Sequence, residues 1–408
     1  MSLPFNMPSI GADPEFFIED MQGNIVPSTV LFKDKRGAGR YIDTPYSKWI
    51  PDGVQIELNL KHPFSCREVM GGHIAASFDQ LVPVLDKLGY KLSWKQSAEI
   101  TPDVLLQMPP EDRKFGCNQS FNIYDSSATI KVDGETYMFR ACGGHIHLGL
   151  QTGFPHIWNT NTWNNVPVVD RRHDLVPLLD IFVGIPSVII DRDPGQVERR
   201  RNYGRAGEFR LPTYGLEYRT LSSFWLKDYI LLSMVMGLTR HAANVLEASL
   251  NPSRGFTGVV DKLYTQINPN EVRSIIDAND ADGATEVWKK VTSFVQSNNL
   301  TFDYDGYSVL NSKTSVKNFE AMLQFIRKEG LDTVFPESNR LSRWYFGFIK
   351  SIERGNKEMY VPSTFDSRGL GIESFVAKKA WTGKNEHFQK YMRGKREGYE
   401  NYTFNNHP

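Results

Sequence analysis

A chain of 408 residues with 40% hydrophobic and 12% aromatic content is a folded globular protein rather than a disordered or fibrous one, with room for two or three domains. Lys and Arg number 47 and Asp and Glu number 47, so no basic excess marks a nucleic-acid or anionic-membrane binder. Cys66, Cys117 and Cys142 are odd in number and lack paired metal-type spacing; they read as reduced thiols, and the expectation is a cytoplasmic protein.

Residues 1–10 carry no basic segment followed by an apolar core, so they do not read as a signal peptide. The apolar run Ile230 to Leu238 is far shorter than the ~18 residues of a membrane span, and no membrane is expected as a partner. Ile10 to Glu19 predicts a strand that ends in a Gln22-Gly23-Asn24 turn, with Asp13 and Glu15 on one face. Pro14 argues against a central place for that strand, because proline has no ladder donor. Residues 33–53 predict a loop. Val54 to Leu60 alternates cleanly, with Val54, Ile56, Leu58 and Leu60 on one side and Gln55, Glu57 and Asn59 on the other.

Gly72 to Gly89 has helical spacing with a kink at Pro83. Residues 95–128 are turn-rich, and Thr129 to Ala141 predicts a hairpin about Asp133-Gly134 that leads into the next strand. There, in Gly143-Gly144-His145-Ile146-His147-Leu148-Gly149, the two imidazoles share one face and Ile146 and Leu148 the other. Leu175 to Ile190 predicts an apolar helix interrupted by Gly184 and Pro186. The charge-dense stretch from Asp191 to Leu221 ends in a strand with Glu217 and Arg219 on one face, and Phe224 to Leu250 predicts a long helix. Beyond residue 250 the pattern is helical, over 270–279, 284–297, 315–329 and 339–354. The division expected is therefore 1–250 as a catalytic domain and 251–408 as a mainly helical C-terminal region.

Four strands thus carry charged or metal-capable side chains at alternate positions: Asp13 and Glu15, Glu57 and Asn59, His145 and His147, Glu217 and Arg219. Each pair alone has an ordinary reading as a turn, a solvated edge or a salt bridge, and His-x-His alone suggests zinc. Side by side in one antiparallel sheet they would make a face of carboxylate and imidazole, stable only with cations or solvent. Oxygen ligands in that number suit Mg²⁺ or Mn²⁺ better than zinc. The arginines at 199, 200, 201, 205 and 210 add planar forks that fit phosphate. Together these groups describe a nucleoside triphosphate site.

The order Gly11-Ala12-Asp13-Pro14-Glu15-Phe16, Asp52-Gly53-Val54-Gln55-Ile56-Glu57-Leu58-Asn59, Gly143 to Gly149, Tyr203-Gly204 and Tyr214-Gly215-Leu216-Glu217-Tyr218-Arg219 resembles the phage-type carboxylate–amine (COOH–NH2) ligases, type 2. These belong to the glutamine synthetase and glutamate–cysteine ligase superfamily, and the resemblance covers roughly the first 225 residues. It implies an α+β fold with a glutamine-synthetase-like antiparallel catalytic sheet packed on helices. It also implies ATP, Mg²⁺ (or Mn²⁺), and phosphorylation of a carboxylate to an acyl phosphate that an amine then attacks.

Carried over by position, Asp13, Glu15, Glu57, His145 and Glu217 look like metal ligands. His147 is directed at ATP phosphate, with Arg200, Arg201 and Arg205 as further nucleotide contacts and Arg201, Arg210 and Arg219 as catalytic arginines. The partners implied are a carboxylate and an amine, free or in a peptide or protein, and the place is the host cytoplasm if the chain is phage-encoded. Two other readings stay open: a phosphotransferase resembling the guanidino kinases, and a non-catalytic virion-associated structural protein.

Overall fold

The computed structural model describes residues 8–32, 40–61, 67–113, 120–125, 136–151, 153–160, 167–301 and 313–341, with Pro63, Phe64, Gly134, Leu310 and Trp344. Residues 129–133 and 135 of the hairpin expected over 129–141, and the helix expected over 339–354 beyond Trp344, lie outside the described residues; Phe139–Ala141 is a strand paired with Ser97–Glu99.

The organising element is a ten-stranded sheet, antiparallel at every described pairing. Its central strands are β1 (Ser9–Asp20), β2 (Ser47–Asp52), β3 (Gln55–Leu60), β4 (Gly144–Gly149), β5 (Glu208–Arg210) and β6 (Gly215–Tyr218). They lie side by side in the order β2-β3-β1-β4-β6-β5, with Ile42–Asp43 and Phe121–Asn122 at the two ends. The result is the α+β fold expected, and the four strands singled out in the sequence are neighbours.

Two details differ from the sequence reading. β1 is central despite Pro14. The proline falls at the last pair with β4, where β1 passes to β3 through Glu15 and Phe16, so the missing donor sits at a change of partner. Residues 47–52 form β2 instead of continuing a loop: Trp49 is buried against the core and alternates with less buried neighbours, a period-2 pattern hidden by Lys48 and Pro51.

The back of the sheet presents Ile146, Leu148, Leu216 and Tyr218 to a helical layer. The composite helix Arg172–Ile190 contains a π-helical stretch, Asp180–Gly184, at the glycine marked as an interruption. It is long and apolar enough to cross a membrane by length and composition, a run the sequence reading passed over, but 83% of it is buried inside the protein. It packs there as a core helix.

α1 (Arg67–Leu88) keeps Pro83 within it and stops at Gly89, whose φ of 77° suits glycine. After a short 3₁₀ turn, Asp228 caps α2 (Tyr229–Leu250) by accepting a hydrogen bond from the Ile230 amide. α3 (Pro269–Asp277), α4 (Ala281–Ser297) and α5 (Lys313–Glu329) follow, close to the expected spans. Their residues Val272, Ile276, Val291, Phe294, Leu323 and Ile326 join the apolar core that begins at Ile10. The change of character at residue 250 is thus one of composition, and the same core continues across it.

Candidate active site

The register of the sheet decides which side chains meet. Asp13 stands opposite His145, Glu15 opposite Glu57, His147 opposite Glu217, and Glu217 opposite Arg210. Because residues two apart in a strand share a face, the alternating acids, imidazoles and arginines of five strands form one continuous front. Asp13 Oδ1 lies 3.2 Å from Nδ1 of His145 and 3.1 Å from Nε2 of His147. Glu217 Oε1 touches Arg219 Nη1 and lies 3.4 Å from Arg210 Nη1 and 3.7 Å from His145 Nδ1.

The glycines before the histidines let other groups come close. A Cβ on Gly143 would fall on the Tyr203 hydroxyl, and one on Gly144 would fall on Ser222 and Trp225. Glu15 uses that space: it accepts from the Gly143 amide at 2.7 Å and from the Tyr203 hydroxyl at 3.1 Å. The same hydroxyl meets Nε2 of His145. On the other side, Tyr214 hydrogen-bonds Nδ1 of His147 at 2.5 Å and stacks on its ring with an interplanar angle of 11°.

The electrostatics are those of crowded acids. Burial, followed by the charge of Asp52, pushes Glu15 up to about 7. Burial, with the charges of Asp13, Glu15 and Asp52, pushes Glu57 up to about 9. Asp13 is buried too, yet His147 and His145 hold it well below the usual carboxylate range. Burial, then the Arg219 charge, lowers His145 to about 4, while Asp13 and Glu217 overcome burial and raise His147. Several carboxylates here are more comfortable protonated than charged unless a cation joins them.

Whether these residues fit a divalent cation can be judged from the free atoms. Asp13, His147 and Glu217 each offer one ligand atom, all within 4.8 Å of one another. Asp13 Oδ1 and His147 Nε2 are buried without hydrogen-bond partners although only 3.1 Å apart. Two ligands each about 2.1 Å from one Mg²⁺ at a right angle would lie about 3.0 Å apart. The Asp13–His147 pair has that spacing, and Glu217 lies close enough to join it with a small side-chain adjustment. Glu15 and Glu57 stand beside it as further oxygen donors.

The sequence reading gave His145 to the metal and His147 to phosphate. In the structure each imidazole turns one nitrogen to Asp13 Oδ1, His145 at 3.2 Å and His147 at 3.1 Å, and the other to a tyrosine hydroxyl, Tyr203 or Tyr214; the set of ligand atoms within 4.8 Å takes in His147.

The arginines separate. Arg210 and Arg219 reach the front through Glu217. Arg199, Arg200 and Arg201 sit on one helical turn within Gln196–Asn202, where successive side chains point about 100° apart, so they cannot share a target. Arg199 is buried and donates to the carbonyls of Thr220 at 2.8 Å and Leu221 at 2.6 Å, stapling the end of β6. Arg200 turns to the helical layer and donates to Asn279 Oδ1 at 2.6 Å. Arg201 is solvent-exposed and pairs with Glu198. Arg205 flanks the front, bonded to Glu208. The structure therefore does not bring Arg200 or Arg201 to the cluster, contrary to the expectation for both. Tyr203, Tyr214 and Asp52 were inside the quoted motifs without a role; their only sequence signal was their place beside a glycine.

Residues 125–279 match the family model described as phage phiEco32-like COOH.NH2 ligase-type 2, the family of the resemblance. The matched segment holds both histidines, all six of these arginines and Glu217, and it ends at Asn279, the partner of Arg200; Asp13, Glu15, Asp52 and Glu57 lie before it. No curated protein matches the chain. The family match supports a carboxylate–amine ligase, and hence an enzyme.

Proposed function

We propose, with the ligase-type family matched by residues 125–279 as premise, that this protein is an ATP- and Mg²⁺-dependent carboxylate–amine ligase working through an acyl phosphate. The observation that carries the reading is the joining of Asp13, Glu15, Glu57, Glu217, both histidines, Arg210 and Arg219 on one sheet face. A carboxylate oxygen is a poor leaving group near neutral pH, and phosphorylation makes it a good one. Bound Mg²⁺ would neutralise phosphate oxygens and orient them. Asp13, His147 and Glu217 would hold that ion, with Glu15 and Glu57 as additional donors. Arg219 and Arg210, always charged, would face the transferring phosphoryl group and the acyl phosphate. Arg205 would meet the outer phosphates. The acyl acceptor would be an amine, free or in a peptide or protein, and the reaction would run in the cytoplasm of the cell that makes the protein.

The test is a screen for ADP release with Mg²⁺, varying carboxylate and amine separately. Release that needs both, with an amide as product, is the expected result. ADP release with a stable phosphorylated guanidine would instead support the phosphotransferase reading. A Glu217→Gln protein as active as the parent would refute the site.

A further inference from the structure

The cation site just described leaves His147 with two chemically equivalent choices of proton position, and only one of them presents a lone pair at Nε2. A residue that fixes the proton at Nδ1 would prepare the site. The structure has one in place. Tyr214 is 39% exposed, yet its hydroxyl meets Nδ1 of His147 at 2.5 Å, and the two rings lie nearly parallel with centroids 5.8 Å apart.

The turn that carries Tyr214 is fixed independently of its side chain. Gly215 donates to the Pro212 carbonyl at 3.1 Å, and the Leu150 amide, just past the histidine strand, donates to the Tyr214 carbonyl at 3.2 Å. The buried Arg172 guanidinium grips both sides of the turn, donating from Nη1 to the carbonyls of Pro212 at 3.0 Å and Gly215 at 2.9 Å. Asp170 holds that guanidinium with two bonds of 2.8 and 2.7 Å, and the Trp158 ring lies 4.4 Å from it. A Cβ at Gly215 would strike the Leu148 carbonyl, so the turn closes against β4 only with glycine there. An exposed ring is thus set on a rigid mount built from three segments of the chain, and its one polar atom meets the one ring nitrogen that the cation site does not use.

We infer that Tyr214 is a positioning residue for the divalent cation: its hydroxyl accepts the Nδ1–H of His147 and its ring fixes the imidazole plane, so that the Nε2 lone pair faces the point shared by Asp13 and Glu217. Partners of this kind orient a ligand imidazole and raise its basicity. Tyr203 stands in the corresponding place on His145, meeting Nε2 while Nδ1 faces Asp13 and Glu217. This inference rests on the reading of Asp13, His147 and Glu217 as the cation site.

The test uses the full chain and Mn²⁺ as probe, with affinity from titration calorimetry and the histidine-nitrogen coupling of bound Mn²⁺ from pulsed electron paramagnetic resonance. Tyr214→Phe keeps the stacked ring and removes only the hydroxyl. It is expected to bind Mn²⁺ roughly 10- to 100-fold more weakly, with an altered nitrogen coupling and an unchanged melting temperature without metal. His147→Gln serves as the reference and is expected to lose the coupling altogether. If wild type shows the coupling, His147→Gln loses it and Tyr214→Phe matches wild type in both affinity and coupling, the role of Tyr214 is overturned and the cation site stands. If Mn²⁺ bound to wild type shows no histidine-nitrogen coupling, the site assignment falls and the role of Tyr214 falls with it.

Discussion

The two faces of the sheet are built from the same strands and obey opposite rules. In β4, His145 and His147 look forward and Ile146 and Leu148 look back; in β6, Glu217 looks forward and Leu216 and Tyr218 look back. The back face is nearly complete in itself, since its apolar side chains are buried against helices. Asp180, buried in the helical layer, accepts a 2.7 Å hydrogen bond from the Tyr218 hydroxyl. The front face is not complete: its acids repel one another, and two of its ligand atoms point at a shared gap without hydrogen bonds. The difference teaches that stability and function are divided by strand parity, one residue at a time.

The largest way to break that division is to alter the front without touching the back. Glu217→Gln should lower the rate of ADP release roughly 100- to 1,000-fold, the scale of losing one preorganised electrostatic group, while circular dichroism shows the fold retained. Unfolding instead would mean that the front, too, holds the structure together.

The reverse change is next. Burial keeps the Asp180 carboxyl protonated up to about 7, whereas an ordinary aspartate releases its proton near 3.8. Between those values the native state binds more protons than the unfolded chain, so stability falls as pH rises through that window. Asp180→Asn should therefore flatten the decline in melting temperature between pH 5 and 8.5 and leave the variant more stable than wild type at the upper end. The gain should be on the order of a few kcal/mol, with Mn²⁺ affinity unchanged. A steeper decline in the variant would show that the carboxylate is needed in its charged form.

The smallest effect should come from Arg201→Ala. Its guanidinium is exposed and pairs only with Glu198 among the described contacts, a surface pair worth at most about 1 kcal/mol. Activity within a factor of two of wild type is expected, against a large loss for Arg219→Ala. Equal losses in the two would return Arg201 to the site.

Much of the front was legible in the sequence because alternation in a strand is a local property. Asp13 and Glu15, His145 and His147, and Glu217 and Arg219 could each be put on one face from spacing alone. The order of the strands could not be read, since pairing partners lie up to 140 residues apart, as Ser9 and Gly149 do. Pro14 misled for the same reason: its cost depends on which neighbour the strand has at that residue. The arginine run misled through helix geometry, because consecutive residues that look like a cluster in sequence are spread around a helix. Tyr203 and Tyr214 carry no periodic signal, and their roles arise from turns folded against the histidine strand.

Taken by itself, the sequence determined the local grammar: which residues could share a face, and where helices cap and stop. Only the tertiary structure decided the pairing of the two histidines with different partners. His145 meets Tyr203 and His147 meets Tyr214, while each turns its other nitrogen toward Asp13. Two residues of the same type, two apart on one strand, are chemically alike until neighbouring strands and turns supply different hydrogen-bond partners, and those partners come from distant parts of the chain.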